Sequence, residues 1–186
     1  MNRNILILIA LIAAAALYTV YTEKTRPPVR DALVKTKTLA TRQAAPDFAF
    51  TDIKGNKLDL SDFRGQAVVV NFWASWCAPC VVEFPQMVRL AQATKGKSVF
   101  IFLSWDEKDG DIARFLKKHA PSAMPENIVI GHDRSRKIAQ DLFQTYRLPE
   151  TYLLTPDLHI ADKIIGADIA WDSETMIRRI QDLSAR

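Results

Sequence analysis

The chain has 186 residues, of which 48% are hydrophobic and 25% are charged, and its formal net charge is +4. The part after residue 45 is long enough for one domain with its own core and too short for two. A nucleic-acid-binding protein is expected to carry its basic residues on the folded surface, but here they gather before the domain, so that class is set aside.

The first predicted element is an uncharged apolar run from Ile5 to Tyr21. As a helix it would be about 26 Å long, which is enough for a thin bilayer. Residues 1–22 are therefore predicted to form a transmembrane anchor or signal anchor. A cleaved signal peptide is the alternative, because small residues at Ala14, Ala15 and Ala16 follow an apolar stretch of suitable length. Both interpretations place the following domain outside the cytoplasm.

Residues 23–45 are predicted to be a basic, flexible linker. They contain Pro27 and Pro28 and show little apolar periodicity. Their charged residues are six cations and two anions: Lys24, Arg26, Arg30, Lys35, Lys37, Arg42, Glu23 and Asp31. These cations favour a cytoplasmic domain under the positive-inside rule, which long domains obey weakly. A chain of this length reaches about 25 to 30 Å on average, so the domain would work close to the membrane.

The domain is predicted to span residues 46–186 and to have an α/β fold. Alternating apolar residues on both sides of Lys54-Gly55-Asn56 predict an N-terminal β-hairpin. Predicted strands of the main sheet are Ala67 to Trp73, Val99 to Leu103, Ile128 to Ile130, Tyr152 to Leu154 and Ile160 to Ile165. Predicted helices are Ala78 to Thr94, a segment around Ile112 to Leu116, Ser135 to Phe143 and a last helix beginning at Asp172 or Ser173. This order predicts a mixed central sheet flanked by helices.

The two cysteines, Cys77 and Cys80, are separated by only two residues. A stabilising disulfide gains most by closing a long loop, so a purely structural bridge is disfavoured here. The three histidines, His119, His132 and His159, show no zinc-ligand spacing relative to the pair. Redox chemistry by the pair itself, without a further cofactor, is the favoured explanation.

The position of Cys77 predicts its chemical role. It stands where a buried strand passes into a helix, and the backbone N–H groups and dipole of a helix N-terminus stabilise a thiolate. Cys77 is therefore predicted to be the nucleophile. Cys80 lies one turn further into the helix and is predicted to resolve the mixed disulfide.

Two motifs carry a family resemblance. Val69 to Cys80 reads VVNFWASWCAPC and is followed by Glu83-Phe84-Pro85, and Arg147 to Leu153 reads RLPETYL. Together they resemble the TlpA-like (ResA/CcmG type) branch of the thioredoxin superfamily. The resemblance implies a thioredoxin-like fold and a membrane-anchored, extracytoplasmic thiol-disulfide oxidoreductase. It further implies protein disulfides as substrates, among them the C-x-x-C-H haem site of apocytochrome c, and a membrane thiol carrier as electron donor.

The resemblance also implies roles for four residues around the cysteines. Pro149 matches the family's cis-proline, beside which the backbone of Leu148 would pair with an extended substrate segment. Trp73 and Trp76 match the tryptophans that flank the redox motif and are expected to form a wall of the site.

Asn71 stands where ordinary thioredoxins carry a buried aspartate that handles the proton of the resolving cysteine. Because an amide cannot accept that proton, Glu83 is predicted to accept it from Cys80. The alternative is that Glu83 is only a surface anion in the first turn, stabilised by the helix dipole by about 0.3 to 1 kcal/mol.

Two other functions occur on the same fold. A peroxiredoxin-like peroxidase needs threonine three residues before its cysteine, and that position is Ala74. A copper-binding assembly factor needs a wider cysteine spacing and a positioned histidine. The predicted function is therefore disulfide exchange, and the predicted direction is reduction, because Ala78 and Pro79 carry no group that would stabilise the reduced thiolate strongly.

Overall fold

The computed structural model describes residues 11–18, 21, 43–166 and 168–185. It divides into two compact units, residues 1–37 and 38–186. In the first unit residues 11–18 and 21 are helical, and none of the helices that the structure describes combines the length and apolarity needed to cross a bilayer. Most of the predicted anchor and linker lies outside the described residues.

The second unit is built on a five-stranded mixed sheet, preceded by a two-stranded hairpin. The strands are β1 (Ala49–Thr51), β2 (Lys57–Asp59), β3 (Ala67–Trp73), β4 (Ser98–Ser104), β5 (Ile128–His132), β6 (Glu150–Leu154) and β7 (Ile160–Ile165). The main helices are α1 (Ala78–Ala93), α2 (Asp109–His119) and α3 (Glu174–Ser184). In the sheet, β3 to β5 run parallel, whereas β6 is antiparallel to both β3 and β7. The predicted mixed sheet and N-terminal hairpin are confirmed.

The central strands are buried along their whole length, as their apolar sequences predict. Every residue of β3 and β4 is buried, because helices cover a parallel sheet on its faces. At the carboxyl end of β3, Trp73 packs on Phe84 of α1 and Phe115 of α2, with ring centroids 5.9 and 4.8 Å apart. Burying each such ring contributes about 1.5 to 3 kcal/mol. This end of β3, which leads to Cys77, is therefore held firmly to both helices.

Residues 43–45, which precede the predicted domain boundary at residue 46, are bonded to the domain. Ala44 forms an antiparallel bridge with His159, and the N–H of Ala45 donates to the carbonyl of Leu158 at 2.8 Å. The N–H of Ile160 donates to the carbonyl of Gln43 at 2.9 Å. These bonds involve only the backbone, so the polar composition of the segment gave no sign of them.

The predicted helix from Ser135 to Phe143 is wrong in length and type. The structure has only a π-helical turn, Ile138–Leu142. Arg136 adopts a left-handed φ of 58° that breaks a helix before this turn, and the side chain of Asp133 takes the N–H groups of Ile138 and Ala139. The apolar spacing was correct, but the left-handed Arg136 and the capping by Asp133 delay the start of the helical turn to Ile138.

Candidate active site

Cys77 is the residue that begins α1. It is the N-cap of that helix, and its Sγ accepts a hydrogen bond from the backbone N–H of Cys80 at 3.3 Å. Pro79 occupies the first turn, where a missing N–H costs the helix nothing. The strand-to-helix placement predicted for Cys77 is therefore confirmed, and a thiolate on Sγ would meet a backbone donor and the positive end of the helix dipole.

Cys77 and Cys80 form a disulfide with an S–S distance of 2.09 Å and a Cα–Cα distance of 5.2 Å. Cys77 retains 6% of its accessible surface and Cys80 only 1%. An incoming thiol or disulfide therefore reaches Cys77 more easily. This difference supports the predicted roles of Cys77 as nucleophile and Cys80 as resolving cysteine.

A buried carboxylate fixes the turn that carries Cys77. Asp106 follows β4 and is 1% exposed. Its two oxygens accept bonds from the backbone N–H and the hydroxyl of Ser75, at 2.9 and 2.7 Å, and from the hydroxyl of Ser104 at 2.7 Å. Ser75 lies two residues before Cys77, so Asp106 sets the path of the chain into α1. Sequence reasoning missed it, although an acidic residue directly after a buried apolar strand could have been noticed.

Glu83 lies on the helix that begins at the cysteine motif, and it is only 4% exposed. It follows Cys80 by three residues on α1, which places both side chains on one face of the helix. Its Oε1 accepts from Nδ2 of Asn71 at 3.2 Å, and its Oε2 accepts from Nε1 of Trp171 at 3.1 Å. Nδ2 of Asn71 also donates to Oγ1 of Thr151 at 2.9 Å. The surface-anion alternative is therefore wrong.

Burial raises the pKa of the Glu83 carboxyl to about 7, and the hydrogen bonds from Trp171 and Asn71 oppose that rise. A carboxylate with this pKa can accept and release a proton near neutral pH. Glu83 is therefore a candidate proton acceptor, and it follows Cys80 by three residues on α1.

The Leu148–Pro149 peptide bond is cis, as the resemblance implied. In the register between β3 and β6, Glu150 is the partner of Phe72, so Pro149 lies beside the end of β3 that leads to Cys77. Leu148 is half-buried and Pro149 is buried. The structure therefore brings the cis-proline loop and the cysteine motif together at the end of the sheet where β3 finishes.

The base of this loop is closed by a second buried carboxylate. Glu150 is 3% exposed, and its Oε1 accepts from the hydroxyl of Thr145 at 2.7 Å and from Nζ of Lys163 at 2.7 Å. The hydroxyl of Tyr152 donates to the same oxygen at 2.7 Å. Thr145 and Glu150 begin and end the loop, so their bond holds its two ends together.

Aromatic side chains stand out from the surface next to the two motifs. Trp76 is 63% exposed and Tyr146, three residues before Pro149, is 70% exposed. Trp76 is therefore free to contact a substrate, as predicted for a wall of the site. Trp73, the other tryptophan of the motif, is instead a core residue at 1% exposure.

Trp171 contacts the candidate site through Glu83, and sequence reasoning missed it. It is fully buried and lies in the segment between β7 and α3. Nothing in the sequence around it resembles a site motif, because its contact with Glu83 joins residues far apart in the chain.

Within the described ranges, no group of three or more histidine, cysteine, aspartate or glutamate side chains is arranged to hold a metal ion.

The family model described as AhpC/TSA family matches residues 41–163. A thiol-disulfide oxidoreductase ResA of Bacillus cereus is 32% identical over 73% of this chain and 76% of its own length. The ResA of Geobacillus kaustophilus is 31% identical over 94% of this chain and 92% of its own length. The chain therefore belongs to the AhpC/TSA family and is a thioredoxin-family protein of the ResA/CcmG type.

Solved structures agree with this ResA/CcmG-type assignment. The crystal structure of a thiol:disulfide interchange protein assigned as DsbE, from Chlorobium tepidum, has a TM-score of 0.66 and 26% identity. It covers 76% of this chain and 96% of its own. The solution structure of a thiol:disulfide interchange protein from Bacteroides sp. has a TM-score of 0.62 and 26% identity, covering 76% of this chain and 92% of its own. The predicted thioredoxin-like fold is confirmed.

The activity of this ResA/CcmG-type protein is thiol-disulfide exchange, as its relatives' names state and as the Cys77–Cys80 pair allows. Its substrates are disulfides of other proteins. Ala74, which is fully buried, occupies the position where the peroxidase alternative requires threonine. The match to the AhpC/TSA model thus reports the shared fold more than a shared peroxide chemistry.

Proposed function

We propose that this protein is an extracytoplasmic reductant of protein disulfides and acts on the oxidised C-x-x-C-H haem site of apocytochrome c. Cys77 as a thiolate attacks the substrate disulfide and releases one substrate thiolate. Cys80 then gives its proton to Glu83 and attacks Sγ of Cys77, which releases the second substrate thiolate. Two electrons pass to the substrate, and the Cys77–Cys80 disulfide forms.

The observation that carries this proposal is the sparse stabilisation of Sγ of Cys77, for which the donor found among the described residues is the N–H of Cys80. That N–H would stabilise a thiolate on Cys77. The side chains of Ala78 and Pro79 add neither a cation nor a hydrogen-bond donor. Strong oxidants of this fold gain their power by stabilising the reduced thiolate further. A weaker stabilisation of the thiolate favours the disulfide form of the protein and therefore reduction of the substrate.

We expect the Cys77–Cys80 couple to lie nearer about −270 mV than about −120 mV, the reducing and oxidising ends of the range for this superfamily. The domain is equilibrated with glutathione buffers of graded composition, and the oxidised fraction is measured after acid trapping. A potential above about −180 mV, that of a disulfide isomerase, would contradict the reductant function and favour an oxidase or isomerase.

The location and the substrate are tested in cells. The resemblance to the ResA/CcmG branch and the uncharged run Ile5 to Tyr21 support a bacterial inner-membrane anchor, a domain on the periplasmic or outer side and a membrane thiol carrier as electron donor. We expect deletion of the gene to abolish haem-bound c-type cytochromes and an external thiol reductant to restore them. Loss of cytochromes without rescue by thiol would contradict a reducing role.

A further inference from the structure

Glu83 is held by two donors that come from different elements of the fold. Nδ2 of Asn71, on the central strand β3, donates to Oε1. The same Nδ2 also donates to Oγ1 of Thr151 on β6, which holds the amide in place. Trp171 reaches Oε2 from the segment that precedes α3. Each oxygen therefore has its own donor, and the plane of the carboxylate is fixed by contacts on both sides.

The segment that carries Trp171 is itself fastened along α1. The backbone N–H of Trp171 donates to Oε1 of Gln86 at 3.2 Å, and Nε of Arg89 donates to Asp172 at 2.8 Å. Glu83, Gln86 and Arg89 follow one another at intervals of three on the helix, so one stripe of α1 receives the whole segment. The indole is 0% exposed, which leaves its N–H no alternative partner in solvent.

The groups that meet the carboxylate from neighbouring elements are uncharged. They are Asn71 from β3, with Thr151 of β6 behind it, and Trp171 from the segment before α3. On its own helix the titratable neighbour is Cys80, which does not titrate in the disulfide form. The Arg89–Asp172 ion pair is solvent-exposed, with side chains 59% and 36% accessible. The indole N–H is thus one of the two interactions that favour the ionised form of Glu83.

We propose that Trp171 is a positioning residue for disulfide exchange, whose indole N–H orients the Glu83 carboxylate to receive the proton of Cys80. This inference rests on the proposed role of Glu83 as proton acceptor. It extends the site to the C-terminal part of the chain, beyond the cysteine and cis-proline motifs. Trp171 does not touch the reacting sulfur atoms in this scheme, and it acts only through Glu83.

The test replaces Trp171 by Phe, which keeps an aromatic ring and removes the N–H. A hydrogen bond to a carboxylate lowers its pKa, so the pKa of Glu83 should rise by about one unit. It is measured by ¹³C NMR titration of the glutamate carboxyl carbons in the oxidised protein, with Glu83→Gln to assign the signal. Resolution of the mixed disulfide should slow several-fold near neutral pH and recover fully at alkaline pH, where Glu83 is ionised regardless.

The matched control is Trp105→Phe. Trp105 is also buried, but its Nε1 has no hydrogen-bond partner among the described residues, so the titration of Glu83 should not change. If Trp171→Phe fails to fold, benzothienylalanine at position 171 retains the shape of the indole and removes only the N–H. An unchanged Glu83 titration, or a rate lowered equally at every pH, would overturn the inference. If Trp171→Phe shifts the titration of Glu83 but Glu83→Gln has normal kinetics, Glu83 is not the proton acceptor. Its contact with Trp171 would then stand without a role in the exchange.

Discussion

Replacing Cys80 by Ser is expected to stop turnover and leave the substrate covalently bound to Cys77. The first attack is unaffected, because Cys77 and its backbone donor at the start of α1 remain in place. The second exchange has no nucleophile, so the mixed disulfide persists. Multiple-turnover reduction should fall to the rate of the thiol reagent alone, and the adducts are counted by non-reducing electrophoresis and mass spectrometry.

The matched control is Cys77→Ser, which leaves only the 1% exposed thiol of Cys80. It should form few adducts, because a buried thiol is both less accessible and less ionised. Comparable adducts from Cys77→Ser, together with none from Cys80→Ser, would reverse the roles assigned to the two cysteines. The trapped partners would also identify the natural substrate.

Replacing Glu83 by Gln is expected to slow resolution of the mixed disulfide about a hundredfold at and above neutral pH, since general-base catalysis contributes at least that much. Glu83 accepts a proton only when it is ionised. The wild-type rate should therefore rise as pH increases through about 7, the pKa of this buried carboxyl. The variant should lack that rise, and stopped-flow kinetics between about pH 5 and about pH 9 would show the difference.

The control for this variant is Glu107→Gln, which removes a carboxylate from an exposed position after β4. It should leave the pH profile unchanged, because a carboxylate in solvent makes none of the contacts that hold Glu83. Far-UV and near-UV circular dichroism of Glu83→Gln checks that the fold is intact. Unaltered kinetics in a folded Glu83→Gln protein would exclude Glu83 from the mechanism.

Sequence patterns predicted the elements whose signals are local. The apolar β-branched run of β3 predicted a buried strand, and its continuation into a helix predicted that Cys77 would lie at a helix start; both were confirmed. The cis state of Pro149 followed from the family motif and is also present. These features depend on a few consecutive residues, so they can be seen without knowledge of the fold.

Features that depend on distant contacts could not be predicted in the same way. Asp106 meets Ser75 across 31 residues, and Trp171 meets Glu83 across 88. The sequence around each of these residues contains no pattern that indicates its partner. The pairs form only when the sheet brings β3, β4 and the segment before α3 together. The prediction of a helix from Ser135 failed for a local reason instead, since the capping by Asp133 competes with the helical periodicity.

The backbone hydrogen bonds of Gln43 and Ala45 fix the start of the domain at one end of the sheet. They join the turn before β7, near Leu154, which pairs with Val68 at the start of β3. Cys77 follows the other end of β3, and seven strand residues span about 20 Å. A fusion partner, affinity handle or surface linkage placed before Gln43 would thus be attached at the end of the sheet opposite the disulfide. Immobilised through that end, the domain would present its cysteines outward to a dissolved substrate.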